Sequence, residues 1–272
     1  MSNKILLEVR GLTKRFSGVT AVADLSYVVE AGAIVGLIGP NGSGKSTSID
    51  CLSGFQRAES GAWSLDGESL QGLPPHRVAR AGLVRTFQNV RAYDDLSLLD
   101  NLRVAAQESD GCGWLPSLLR SPSVRKNERR AAERAMALLE TVGLQGYAEA
   151  PASVLSYGQS KLLAIAASMM TRPRLVILDE PVAGVNPTMV RRIEDVIHKL
   201  NQEGVTMVIV EHNVDFITNL CHRIVVMESG AKIAEGPPSL IRTDARVLSA
   251  YTGQSVDRHR AGVHAEAVGD RT

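Results

Sequence analysis

The segment Gly39-Pro-Asn-Gly-Ser-Gly-Lys-Ser-Thr47 follows the pattern G-x-x-x-x-G-K-[ST], and the chemistry it serves dictates its order. Glycines let successive backbone N–H groups turn inward around an anion. Lys45 is then placed to reach the β and γ phosphates of a nucleotide, and the Ser46 hydroxyl can ligate Mg2+. A helix starting at Lys45 directs its positive end at the same phosphates. The apolar run at residues 33–38 supplies the strand from which such a loop departs. Gly39, Pro40, Asn41, Gly42, Ser43, Gly44, Lys45, Ser46 and Thr47 are therefore expected to surround the phosphates of a nucleotide.

Two further apolar runs end in polar groups. Leu175-Val-Ile-Leu-Asp179-Glu180 delivers two adjacent carboxylates at the carboxyl end of a strand, where open α/β sheets present their ligands. Asp179 is placed to hold Mg2+ through water. Side chains alternate along a strand, so Glu180 points elsewhere and can polarise an attacking water. Met207-Val-Ile-Val-Glu-His212 repeats the design, and His212 could contact the γ phosphate and that water. A histidine after a strand is more often structural, so this role depends on its company.

The elements needed to position these groups are legible in outline. Residues 5–9 and 33–38 read as strands, residues 24–29 as a weaker one, and residues 13–23 as a turn-rich connection. Residues 176–178 and 207–210 have the look of buried parallel strands. Residues 224–227 and 232–234 flank Ser229-Gly230, a hairpin signal. Helices are expected over residues 45–52 and 188–202. Strands alternating with helices predict an α/β fold with a mostly parallel sheet. From about residue 96 to 172 the chain reads as helical, with Ala131, Ala135, Leu138, Leu139 and Val142 on one stripe. Arg125, Lys126, Arg129, Arg130 and Arg134 cluster there; the bland reading is a solvated face, the sharper one contact with lipid headgroups or a membrane partner.

Composition limits the classes of function. The 272 residues are 44% hydrophobic, enough for a sizeable core, and the net charge of +1 argues against a broad nucleic-acid face. Cys51, Cys112 and Cys221 form no CxxC pair and fit a reducing compartment. The cluster Ile5-Leu6-Leu7 is too short for a signal-peptide core, and no stretch approaches the roughly 20 apolar residues that span a bilayer.

Leu155-Ser-Tyr-Gly-Gln159 precedes the acidic pair and opens a helix expected over residues 160–170. With the phosphate loop, it resembles the signature of the ABC ATPase family, L-S-G-G-Q. Gln88, within Arg85-Thr-Phe-Gln-Asn89, sits where that family places its Q-loop, and His212 takes the place of its switch histidine. Phe16 occupies the position of the aromatic residue that stacks on adenine, and Val22 is assigned with it to the nucleotide. The motifs occur in family order from Leu6 to about Thr252.

The resemblance implies a P-loop NTPase (RecA-like) core with an antiparallel β subdomain and an inserted α-helical subdomain. The implied division is residues 1–95 and 173–252 for the core, 96–172 for the helical subdomain, and 253–272 for a polar tail. It further implies ATP and Mg2+, with Ser46, Gln88 and Asp179 toward the metal, and Lys45, Glu180 and His212 in hydrolysis. Ser156, Tyr157, Gly158 and Gln159 would complete the site of a second ATPase subunit, a copy or a homologous chain. Transmembrane permease subunits and, indirectly, an extracytoplasmic solute-binding protein are the implied partners, with no nucleic acid. The implied place is the cytoplasmic face of the plasma membrane, peripherally.

Two residues depart from the family pattern. Tyr157 replaces the first signature glycine, and Asn186 ends the D-loop where many relatives carry Asp. The Tyr-Gly-Gln signature, Arg-Thr-Phe-Gln, the helical segment around residues 114–134 and Tyr251-Thr-Gly look similar to the longer ATPase of branched-chain amino-acid importers. Urea and amide importers share much of this pattern, and a non-transport ABC ATPase is the alternative of another class. A GTPase would need an N-K-x-D motif, which is absent, and a kinase would leave Leu155–Gln159 unexplained.

Overall fold

A computed structural model describes residues 4–86, 92–106 and 122–252. Two sheets are built from the described residues. The first is antiparallel, with β1 (Ile5–Phe16), β2 (Val19–Glu30), β4 (Ser60–Leu65) and β5 (Glu68–Ser69) in the order β2-β1-β4-β5. The second contains β3 (Ile34–Ile38), β6 (Leu83–Arg85), β7 (Leu175–Asp179), β8 (Thr206–Glu211), β9 (Arg223–Glu228) and β10 (Ala231–Gly236). Its order is β10-β9-β3-β8-β7-β6, parallel throughout except for the antiparallel edge strand β10.

The parallel strands are apolar without a break because both faces are covered. Alternate residues enter different cores. Ile34, Ile38, Val176, Leu178, Met207 and Ile209 join one cluster with the helices Leu98–Ala106, Tyr157–Met169 and Pro187–Gln202. Val35, Leu37, Leu175, Ile177, Val208 and Val210 join the other, against the antiparallel sheet and the helix Lys45–Leu52. Gly36 has no side chain because a Cβ there would lie 2.7 Å from Ile217 Cγ2 of the helix Val214–Leu220.

Several expectations need revision. The connection expected at residues 13–23 is mostly strand: β1 runs to Phe16 and β2 starts at Val19, with Phe16 paired to Val19. The turn shrinks to Ser17 and Gly18, both with positive φ. Polar, exposed strand tips carry no apolar alternation, so periodicity could not reveal them. The signature helix begins at Tyr157 rather than residue 160, and β4, β5, β6 and the helix Pro75–Arg80 went unseen. The helices at 45–52 and 187–202, the central strands and the β9–β10 hairpin match the reading.

The arginine cluster divides. Arg129 is exposed and pairs with Glu133 at 2.9 Å, as a solvated face would. Arg134, one turn on, donates from Nη2 to the Met169 carbonyl (2.6 Å) and from Nε to that of Met170 (3.1 Å). It caps the carboxyl end of the helix Tyr157–Met169, where unpaired carbonyls concentrate negative charge. Burial lowers its pKa, with Arg172 adding to the effect. The Arg125 side chain lies outside the described residues. Among the described residues, no helix is long and apolar enough to cross a membrane.

Arg134→Met keeps the packing stem and removes the cap. Loss of hydrogen bonds to a charged group predicts about 1–3 kcal/mol of destabilisation, read as a lower urea midpoint at constant m-value.

Candidate functional site

Strand register brings the polar ends together. Ile38 stands opposite Glu211, and Asp179 opposite Val210, so β3, β7 and β8 discharge the phosphate loop, the acidic pair and His212 at one edge. The loop is held from behind. Gly230, at the β9–β10 turn, donates its N–H to the Ser43 carbonyl (3.1 Å), and Ala23 N–H donates to the Gly230 carbonyl (2.8 Å). Two glycines are required sterically. A Cβ on Gly39 would come 2.1 Å from the Met227 carbonyl oxygen, and one on Gly44 would come 2.3 Å from that of Ala21. Gly42 and Gly44 also adopt φ of +79° and +97°, which L side chains rarely take.

Lys45 is 6% exposed. Its Nζ donates to the carbonyls of Gly39 (2.8 Å) and Pro40 (3.0 Å). Burial lowers its pKa, opposed by the negative charges of Glu180, Asp179 and Glu211. Ser46 is exposed at the start of the helix, and Asp179 is 7% exposed. Burial raises the Asp179 pKa, opposed by the guanidinium of Arg85, whose Nη2 donates to Oδ2 at 2.8 Å. Arg85 Nη1 also pairs with Asp50 on the phosphate-loop helix.

A serine hydroxyl and a carboxylate are hard oxygen donors of the kind Mg2+ takes, so the residues present fit that ion. Among the described residues, no group of three or more His, Cys, Asp or Glu side chains is placed to hold a metal. Gln88 lies outside the described residues.

Glu180 adopts φ +47°. A left-handed residue with a Cβ costs about 1–3 kcal/mol and persists only where its surroundings over-determine it. Pro181 adds to the constraint, since the residue before proline is driven toward extended backbone. The Glu180 N–H donates to the Val210 carbonyl (2.9 Å), and the Glu180 carbonyl accepts from Lys161 Nζ (3.1 Å). Glu211 is fully buried. Its Oε1 accepts from Val182 N–H (3.1 Å), and its Oε2 from the N–H groups of His212 (3.0 Å) and Asn213 (3.3 Å). One carboxylate thus ties the turn after Glu180 to the turn carrying His212, whose own side chain is 55% exposed.

The signature residues occupy a helix start. Ser156 is the N-cap: its Oγ accepts from Gln159 N–H (3.4 Å), and Gln159 Oε1 accepts from Ser156 N–H (2.9 Å), a reciprocal capping box. Ser156 and Tyr157 are exposed, and Gly158 is buried against Met189, whose Cγ would lie 2.6 Å from an added Cβ. The Tyr157 ring lies over Gly184, with Cε1 3.4 Å from where a Cβ would stand. Asn186 caps the helix Pro187–Gln202 by accepting from Met189 N–H at 3.0 Å, so this departure retains a structural task.

Phe16 is 43% exposed at the tip of β1, with Lys14 Nζ 4.8 Å from its ring centroid. Val22 is a correction. It is fully buried, in the same core cluster as Leu25 and Leu52, and its side chain offers no surface to a nucleotide. Its register on β2 points it inward, while its neighbour Ala21 meets Gly44. Sequence reasoning missed Arg85, Lys161 and Glu211. An acid closing an otherwise apolar buried run was the available signal for Glu211; Arg85 and Lys161 stood inside quoted motifs without distinguishing spacing.

Comparison with known proteins shows the family. The family profile described as "ABC transporter" matches residues 22–183. The chain is 43% identical over 251 residues to the high-affinity branched-chain amino acid transport ATP-binding protein BraF of Pseudomonas aeruginosa, covering 92% of this chain and 98% of that protein. It is 39% identical to the LivG counterpart of Escherichia coli, with the same coverage. The crystal structure of an ATP-binding cassette of an ABC transporter in its ADP conformation superposes with a TM-score of 0.80 at 32% identity. The match covers 92% of this chain and 99% of that one.

Glu211→Ala would leave the buried Val182 N–H and the partly buried N–H groups of His212 and Asn213 without their acceptor. A buried unsatisfied donor costs about 1–3 kcal/mol, so the loss at Val182 alone predicts a lower thermal midpoint by calorimetry.

Proposed function

The chain belongs to the ABC transporter ATPases, and we propose that it energises a branched-chain amino-acid importer by closing on ATP with a second ATPase subunit. The supporting observation is a division of labour in the fold. Lys45, Asp179, Glu180 and His212 converge at one sheet edge, while the Ser156 capping box faces solvent at the start of a separate helix. An exposed helix N-terminus is an anion site, and in this reading Ser156, Tyr157, Gly158 and Gln159 receive the γ phosphate bound to the partner.

Within one subunit, Gly39 to Thr47 cradle the phosphates and Phe16 stacks on the base. Lys45 neutralises charge between the β and γ phosphates. Ser46, Asp179 and Gln88 would hold Mg2+, which supplies charge neutralisation on the phosphate oxygens. Glu180 polarises the attacking water, and His212 orients it against the γ phosphate. The division into residues 1–95, 96–172, 173–252 and 253–272 belongs to the same reading. So do the permease partners, the extracytoplasmic solute-binding protein and the peripheral position on the cytoplasmic membrane face. The solute follows from the named specificity of relatives such as BraF, because an ATPase does not touch the cargo.

Glu180→Gln is expected to bind ATP and to hydrolyse it about 100-fold or more slowly, since general-base catalysis contributes roughly 10²–10⁴. Lys45→Ala should abolish turnover. Analytical ultracentrifugation of Glu180→Gln with Mg-ATP, with nucleotide occupancy checked, is expected to show a dimer. A monomer with ATP bound would point to a homologous chain as partner. Deleting the gene from its host should remove high-affinity uptake of labelled leucine and spare that of urea; the reverse pattern would overturn the solute assignment.

A further inference from the structure

Lys161 is a lysine buried in the wrong place for a solvated cation. It sits in the second turn of the signature helix and is 3% exposed. Its ammonium is directed at a backbone carbonyl, that of Glu180, at 3.1 Å. On the other side it lies 5.4 Å from the centroid of the Tyr157 ring, within cation–π range. That ring in turn rests on Gly184 of the loop following the acidic pair.

The carbonyl it holds belongs to a residue that needs holding. Glu180 has left-handed backbone, disfavoured by its own Cβ and by Pro181. A carboxylate attached to such a backbone points where the local φ and ψ send it. A change in φ at Glu180 turns its Cα–Cβ bond relative to the strand that carries it, and hydrogen bonds to both the N–H and the carbonyl of Glu180 resist that change. The Val210 carbonyl restrains the amide side of Glu180, and Lys161 restrains the carbonyl side.

We propose that Lys161 is a positioning residue for hydrolysis, through which the signature helix fixes the backbone of Glu180 and so aims its carboxylate. The inference rests on the reading of Glu180 as the group that polarises water. It adds a direct route between the two half-sites of one subunit. The helix whose exposed start meets the partner's nucleotide is bonded, one turn later, to the acid serving the subunit's own nucleotide. Tyr157 belongs to this route, since its ring bridges Lys161 and Gly184. A shift of the helix on engaging a partner's phosphate would be transmitted to Glu180 by a hydrogen bond within the subunit.

The test uses the full chain and pairs Lys161→Met, which keeps the stem and removes the donor, with Glu180→Gln. Single-turnover hydrolysis and nucleotide affinity by fluorescent-ATP titration are measured for wild type, each single variant and the double variant. Lys161→Met is expected to lose about 10- to 100-fold in hydrolysis rate, the scale of an ångström-level misplacement, with Kd changed by less than about threefold. In the Glu180→Gln background it should cost no further rate, because the group it positions is already disabled. Lys161→Arg, which retains a donor, should recover much of the loss. Should the apolar variant fail to fold, Lys161→Gln, one atom shorter and still polar, enters the same cycle with the same expectation. Wild-type hydrolysis in Lys161→Met alongside slow hydrolysis in Glu180→Gln would overturn the role of Lys161 and leave that of Glu180 intact. An equal loss in both backgrounds would overturn it too, by showing an effect independent of Glu180. Wild-type hydrolysis in Glu180→Gln would remove the premise, and the proposal with it.

Discussion

The register of three parallel strands governs everything at the nucleotide edge. In β3, β7 and β8 both faces are buried, and alternate side chains belong to different cores: Val208 and Val210 to one, Met207 and Ile209 to the other. A slip of one residue would exchange both sets at once and move a strand end by about 3.3 Å. Neither core could absorb that. The requirement to fill two cores therefore also fixes how far Ile38, Asp179 and Glu211 project beyond the sheet, and hence where the phosphate loop, the acids and His212 begin.

Register brings the strand ends to the same edge but does not orient the turns beyond them. That task falls to charged side chains withdrawn from water. Glu211 gathers N–H groups from two different turns, Lys161 holds the carbonyl of Glu180, and Arg85 connects Asp179 with Asp50 of the phosphate-loop helix. A charge in such a setting is tolerable only with its hydrogen bonds made. Each one therefore penalises any rearrangement of the backbone it holds. The residues expected to meet ligands or partners are more open: Phe16, Tyr157 and His212 keep about half of their surface exposed. Rigid supports beneath accessible tips suit a site that must receive nucleotide and partner without losing its geometry.

The signature segment shows the same economy. Ser156 and Gln159 satisfy each other's backbone N–H groups, so the helix start is complete in the isolated subunit. Tyr157 replaces a glycine without disturbing that cap, because in the first helical turn its side chain swings outward over Gly184. Asn186 likewise serves as an N-cap, a task that needs an oxygen acceptor and no charge.

The sequence by itself determined the chemistry. The order of Gly39, Gly44, Lys45 and Ser46, the carboxylates at the end of a buried run, and Leu155 to Gln159 each encode a local device whose parts are neighbours in the chain. Local devices leave local patterns, and the central strands and the helices that follow them were legible for the same reason. Residues whose roles join distant segments leave no such pattern. Val22 lies beside Ala21, which touches the loop, yet it turns into the core because strand alternation sends it there. Glu211 reaches Val182, Lys161 reaches Glu180, and Arg85 reaches Asp50 and Asp179 across separations that vary with every intervening loop. Only the packed structure decided these pairings, because a buried charge finds its partner in space and spacing along the chain carries no record of it.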